Sequence, residues 1–258
     1  MRFRLAGGIT AGLALLALPV LAQDAPPPPI YQVTTLELTP ATMGAFRSGM
    51  AKQAAAAKEL NLPSAEAGWW TYSEGNRLII VAPRTRDAVL GSPAMGTRAR
   101  ILAANPGLDS AITKAYGGAQ SRLVSQELIV EAPNLTYTAA TPMEPGAIQV
   151  ANIIIAPGQG QAFNQAVQAM NKVRTDIGYP YTVLAFRVRF GETRTQLVTL
   201  FDSREAFFGK NSIDRLLAGK PEAQAAWQAA LGKIVAAVES YEFTLSDYAA
   251  NLSYPVTP

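Results

Sequence analysis

"VTTLELTPATMGAF" (residues 33–46) lies over "VANIIIAPGQGQAF" (150–163) at an offset of 117 residues, matching Pro40 with Pro157 and Phe46 with Phe163. The correspondence continues to the end of each stretch. "VAPRTRDAVLG" (81–91) meets "TLFDSREAFFG" (199–209), "NPGLDSAITKAYG" (105–117) meets "KPEAQAAWQAALG" (220–232), and "NLTY" (134–137) meets "NLSY" (251–254). Order, spacing and turn chemistry are kept together, which is the mark of an internal repeat. We therefore read a first unit at 31–137 and a second at 148–254, joined by a linker at 138–147. The two Asn-Leu-Ser/Thr sequons are then a relic of the repeat rather than glycan acceptors.

Each unit reads as strand, helix, strand, strand, helix, strand. In the second, "QVANIIIA" is a β-branched run stopped by Pro157-Gly158. Phe163, Ala166, Val167, Met170 and Val173 then recur at three- and four-residue steps, the stripe of a half-buried helix. "TVLAFRVRF" (182–190) alternates with period two. Asp202 or Ser203 caps a short helix carrying Phe207 and Phe208. Pro221 opens a longer helix, expected to pack through Trp227, Leu231, Ile234, Val235 and Val238. In the first unit "GWWTYSEGNRLIIVA" (68–82) is the hairpin and "SQELIV" (125–130) the last strand. "PGQGQAF" lacks the spacing of a phosphate loop and reads as a strand-to-helix turn.

A βαββαβ order makes a four-stranded antiparallel sheet with both helices on one face. The other face is bare, and its residues are too apolar to stand in water.

That order, with the "FDSREAFF" segment leading from the third strand of the second unit into a helix, resembles the dimeric α+β barrel superfamily. Antibiotic-biosynthesis monooxygenase-like, EthD-like and NIPSNAP-like families belong to it. The resemblance covers essentially the whole chain after residue 30. It implies an α+β fold of two tandem ferredoxin-like βαββαβ units packed sheet to sheet, an intramolecular pseudo-dimeric α+β barrel with a ligand cavity between the sheets. It also implies a monomer with an internal pseudo-twofold. Monooxygenase-like and haem-binding members rely on His, which this chain lacks.

Composition narrows the chemistry. With no His and no Cys, usual zinc sites, His-ligated haem, Ser-His-Asp triads and Cys nucleophiles are excluded, and no cofactor or metal is expected. Arg2 and Arg4 precede the apolar run "LAGGITAGLALLALPVLA" (5–22), which reads as a signal peptide cleaved after Ala22. An exported chain without disulfides is expected in a bacterial periplasm or secreted. "QDAPPPPI" (23–30) is a Pro-rich tether. Past residue 22, 20 basic side chains face 19 acidic ones, so no bias toward nucleic acid remains. No integral membrane segment is expected there either.

Strand alternation sorts residues between the helix side and the inner face. On the helix side we expect Leu36, Leu38, Leu128 and Val130 in the first unit. In the second we expect Ile153, Ile155, Leu184, Phe186, Val188, Phe243 and Leu245 there. The inner face then carries Thr35, Glu37, Trp70, Tyr72, Glu127, Asn152, Arg187, Arg189, Thr199 and Glu242. Trp69 is core, and Glu127 and Glu242 occupy equivalent places. Trp70, Tyr72, Glu127, Asn152, Arg187, Arg189 and Glu242 are the ligand-binding candidates. The aromatics would stack on a small aromatic or carboxylate-bearing molecule and an Arg would meet its anionic group. Pairs such as Glu242–Arg187 could equally fix the two halves together. Three functions stay open: small-ligand binding between the halves, a cofactor-independent monooxygenase or isomerase-like enzyme in the same cavity, or a structural module with a filled core.

Overall fold

The computed structural model describes residues 27–84, 102–103, 105–141, 143–191, 193–209 and 211–255. The expected signal peptide, the start of the tether and the segment 85–101 lie outside them.

Eight antiparallel strands close into one barrel. They are β1 (Ile30–Leu38), β2 (Trp70–Glu74), β3 (Arg77–Arg84), β4 (Ser121–Glu131), β5 (Ala147–Ile155), β6 (Val183–Phe190), β7 (Thr195–Phe201) and β8 (Val238–Tyr248), in the order β1-β3-β2-β8-β5-β7-β6-β4. The expected stack of two sheets is thus a single wall. Its two seams are hydrogen-bonded strand pairs, β2 with β8 at Tyr72↔Tyr248 and β4 with β6 from Leu128↔Phe190 to Glu131↔Phe186. Closure leaves no sheet edge along the paired stretches.

Helices coat the outside. α1 (Pro40–Glu59), α2 (Ser64–Ala67) and α3 (Pro106–Tyr116) follow the strands of the first half. α4 (Gly160–Ile177), α5 (Arg204–Phe208), α6 (Ile213–Leu217) and α7 (Pro221–Ala237) serve the second. Thr39 and Thr42 form a capping box at the start of α1, and Ser203 Oγ accepts the Ala206 N–H to start α5. α4 buries Phe163, Ala166, Val167, Met170 and Val173, the stripe its spacing requires. α7 corrects its expected face. Trp227, Ala230 and Ala237 are buried while Leu231 and Val235 are exposed, because the small alanines allow close packing on α4. Among the described residues no helix is long and apolar enough to cross a membrane.

The segments after β4 and β8 cross to the opposite half. Tyr137 pairs with Val183 and donates its hydroxyl to the Tyr179 carbonyl at 2.7 Å. Tyr254 pairs with Trp69 and donates to the Leu62 carbonyl at 2.5 Å. In the first crossing Thr136 Oγ1 accepts the Ala185 N–H at 3.1 Å; in the second Ser253 Oγ accepts the Thr71 N–H at 2.9 Å. These are the hydroxyls of the two sequons. Leu135 and Leu252 between them are fully buried. The segment is a clasp, so its Ser or Thr serves backbone hydrogen bonding.

Candidate functional site

The barrel encloses a cavity of about 450 Å³. Register sets its two ends. Asn152 lies opposite both Glu242 and Gln196, Thr35 opposite Ser125, and Glu37 opposite Arg77, all toward one end. Tyr31, Trp70, Ile148 and Leu200 mark the other. Glu242 and Arg77 are exposed, so the first end is the mouth.

The wall of the deep end is aromatic and aliphatic. Tyr31 meets Phe186 edge-on with centroids 5.8 Å apart and leans on Trp70 at 6.2 Å. Tyr72 packs against Tyr248 at 5.6 Å. Burial pushes the Tyr72 and Tyr31 phenols above their usual range, with Tyr248 and Glu131 adding to the respective shifts. Both stay protonated as hydrogen-bond groups at neutral pH. Val33, Ile79, Val81, Ile129, Val150, Leu184 and Val198 line the cavity between its two ends.

Just inside the mouth sits a polar cluster that bridges the β4–β6 seam. Arg194 Nη2 donates to Glu127 Oε1 at 2.5 Å and its Nε donates to Asn152 Oδ1 at 3.0 Å. Gln196 Nε2 donates to Asn152 Oδ1 at 3.0 Å and to Glu127 Oε2 at 3.4 Å. Glu127 and Gln196 are buried and Arg194 nearly so. The charge pair satisfies the general need of a buried ion for a partner. Gly191, at φ +117°, lets the turn before Arg194 pass over Glu127; a Cβ there would stand 3.2 Å from Glu127 Cγ.

Trp70, Tyr72, Glu127, Asn152 and Glu242 therefore line the cavity as expected, Glu242 at its rim. Arg187 and Arg189 do not. Both are exposed, and Arg187 Nη2 reaches Asn164 Oδ1 on α4 at 3.4 Å. The phase of β6 is the reverse of the one expected, with Leu184 and Phe186 turned inward. The reason is physical: this interior is itself apolar, so apolar alternation does not distinguish it from the helix side. Thr199 is likewise outside the cavity, and Val198 and Leu200 are in it. Glu37 pairs with Arg122 and Asn76 away from the cavity. Phe243 points outward but stays exposed, stacked on Tyr241 at 5.2 Å. Glu127 lies opposite Val33 and Glu242 opposite Asn152, so they are not equivalent; at an offset of 117 Glu127 matches Thr244.

Arg194, Gln196, Tyr31, Phe186 and Arg77 are among the cavity residues the sequence did not single out. Val33 and Tyr31 stand in phase with Thr35, and alternation from Thr35 would have found both.

No family model and no curated protein matches the chain. Solved structures do. A candidate monooxygenase from Lactobacillus acidophilus NCFM superposes with a TM-score of 0.52 at 11% identity, covering 89% of this chain and 97% of that one. A candidate monooxygenase from Fusobacterium nucleatum subsp. nucleatum gives 0.55 at 10% identity, covering 86% and 93%. A chlorite dismutase variant from Candidatus Nitrospira defluvii gives 0.52 at 10% identity, covering 88% and 94%. The fold is the dimeric α+β barrel. At these identities the likeness fixes the fold and leaves the chemistry to the residues. A dimeric α+β barrel with no His and no Cys does not fit a haem held by either. Among its described residues no group of three or more His, Cys, Asp or Glu side chains could hold a metal ion.

Proposed function

We propose that the barrel interior binds a small, mostly apolar organic molecule with one polar end, the apolar body against Trp70, Tyr72, Tyr31 and Phe186. The observation that carries this reading is the cavity of about 450 Å³ with an aromatic deep end and a buried polar cluster near its mouth. A carboxylate-bearing ligand is no longer favoured. The cation nearest the buried polar groups, Arg194, is already paired with Glu127. The lining as a whole carries three Glu against two Arg. Native mass spectrometry of the protein from its own cells tests the reading, with a co-purifying molecule expected. Leu184→Trp, which fills the cavity from its wall, should release that molecule; retention at full occupancy would sink the assignment.

A second reading, a cofactor-independent monooxygenase, draws on the solved structures of the same fold that are named as monooxygenases. Oxygen uptake with phenolic or quinol substrates tests it, and the uptake should disappear in Asn152→Ala. Turnover in that variant equal to the parent rules out the role of the polar cluster.

The same proposal places the protein in the periplasm or outside the cell, supported by the basic start and apolar run of residues 1–22. N-terminal sequencing of the mature protein should begin at Gln23. We further propose that units 31–137 and 148–254 arose by tandem duplication and serve as a monomeric pseudo-dimer. The offset of 117 shared by the first strands and the closing segments, and the matching strand orders on either side of the seams, support this.

A further inference from the structure

The polar cluster has a direction, because its charged members fix how the two amides lie. Arg194 Nε can only donate, so the Asn152 atom it meets at 3.0 Å is the oxygen. Glu127 as a carboxylate only accepts, so the Gln196 atom facing it at 3.4 Å is the nitrogen. The same Gln196 nitrogen donates to Asn152 Oδ1 at 3.0 Å, which agrees with both assignments. Two groups are left over. Asn152 Nδ2, a donor, and Gln196 Oε1, an acceptor, have no partner among the described residues, while both residues line the cavity. Neither atom is sealed off, since the fully enclosed side-chain atoms lacking a partner are Arg174 Nε and Ser246 Oγ. Gln196 is itself 6% exposed, so what its free oxygen meets is the cavity.

A half-buried donor and a buried acceptor on neighbouring side chains call for a ligand edge with the opposite pair. The charges do not alter that. Arg194 and Glu127 neutralise one another, and Arg77 stands with Glu74 and Glu242 in the remaining lining. A carboxylate or phosphate presents acceptors only and leaves Gln196 Oε1 facing negative oxygen. An ammonium presents donors only and leaves Asn152 Nδ2 unanswered. A lactam, with C=O and N–H side by side on a flat ring, answers both atoms and carries no charge.

We propose that the Asn152–Gln196 pair reads an uncharged acceptor–donor edge, and that the ligand class is a planar aromatic lactam or a molecule with the same edge. This rests on the reading of the barrel as a binding chamber and adds which head group it selects. The ring lies toward Trp70 and Phe186, and the carbonyl takes the Asn152 amide hydrogens. The ligand N–H meets Gln196 Oε1.

The test is isothermal titration of the full chain with four probes of similar size: 2-quinolone, 2-methoxyquinoline, quinoline-2-carboxylate and naphthalene. The lactam should bind about tenfold or more tighter than its methoxy analogue, which has lost the donor, and the carboxylate should bind weakest. In Asn152→Ala and in Gln196→Leu, each checked for an unchanged circular dichroism spectrum, the affinity ratio of lactam to naphthalene should fall by about tenfold. Equal affinity for lactam, methoxy analogue and carboxylate overturns the head-group reading and leaves the chamber standing. Failure of all four probes to bind overturns both.

Discussion

The Oγ of Ser253 accepts the backbone N–H of Thr71 at 2.9 Å, although 182 positions separate them in the chain. Thr71 Oγ1 and Trp69 Nε1 donate to the Leu252 carbonyl beside it, at 2.9 and 2.7 Å. Ser253→Ala leaves the Thr71 N–H without a partner in a fully buried place. We expect a loss of roughly 1–3 kcal/mol in urea unfolding. Thr136→Val, which removes the acceptor for Ala185 N, should cost a similar amount, and no change in either variant would contradict the clasp.

Breaking the buried charge pair should be costly and repairable. Glu127→Leu takes a carboxylate partner from Arg194 beside the cavity, and we expect roughly 1–3 kcal/mol of destabilisation. Adding Arg194→Leu should restore part of it, since the guanidinium is then removed together with the carboxylate it faces. A double variant as unstable as the sum of the single ones would show that the two charges do not couple.

Arg187→Ala and Arg189→Ala should be silent. Both side chains are exposed on the outer surface, and each change should alter stability by no more than about 0.5 kcal/mol. Ligand affinity measured by titration should stay at the parent value. A tenfold loss in either would return these residues to the site.

Gly191→Ala tests how the mouth is built. The backbone there has φ +117°, and the new Cβ would press on Glu127. Destabilisation of roughly 1–3 kcal/mol is expected, with weaker ligand binding as the turn carrying Arg194 is displaced.

Alkali should unfold the protein through its buried phenols. Burial raises Tyr179 from 10.0 to about 12, and it raises Tyr31, Tyr72 and Tyr137 as well. Folded values above the unfolded value give stability that is whole below about pH 10 and lost as pH rises through about 12. Arg174, packed on the Tyr179 and Trp227 rings, acts the other way. Burial lowers it from 12.5 to about 10, so its share of stability grows over that range. Four phenols oppose two guanidiniums, since burial lowers Arg84 as well, and the net effect is loss. Absorbance at the phenolate band and circular dichroism should change together; full phenol ionisation with the fold intact would refute this.

Much of this fold could be read from spacing. The α4 stripe, Pro221 at the start of α7 and Ser203 at the cap of α5 all stand where pattern and capping chemistry put them. Trp69 and Trp70 divide between core and cavity as adjacent strand residues must. The inward phase of β6 was not legible, because Leu184 and Phe186 are as apolar as the residues facing helices. The Arg194–Gln196 cluster was hidden for a different reason. Its meaning depends on Glu127 from the other half, and no local pattern reports a contact between strands 67 positions apart.

The crossed clasps set an order of events for the growing chain. Trp69 and Thr71 emerge from the ribosome more than 180 residues before the Leu252 and Ser253 that complete their surroundings. The first half therefore waits, unfinished, until the second has been made. Closing so long a loop is slow, and the two halves reach the native state together. A nascent barrel of this design stays unlocked throughout synthesis, and the lock that ends that interval is a three-residue turn.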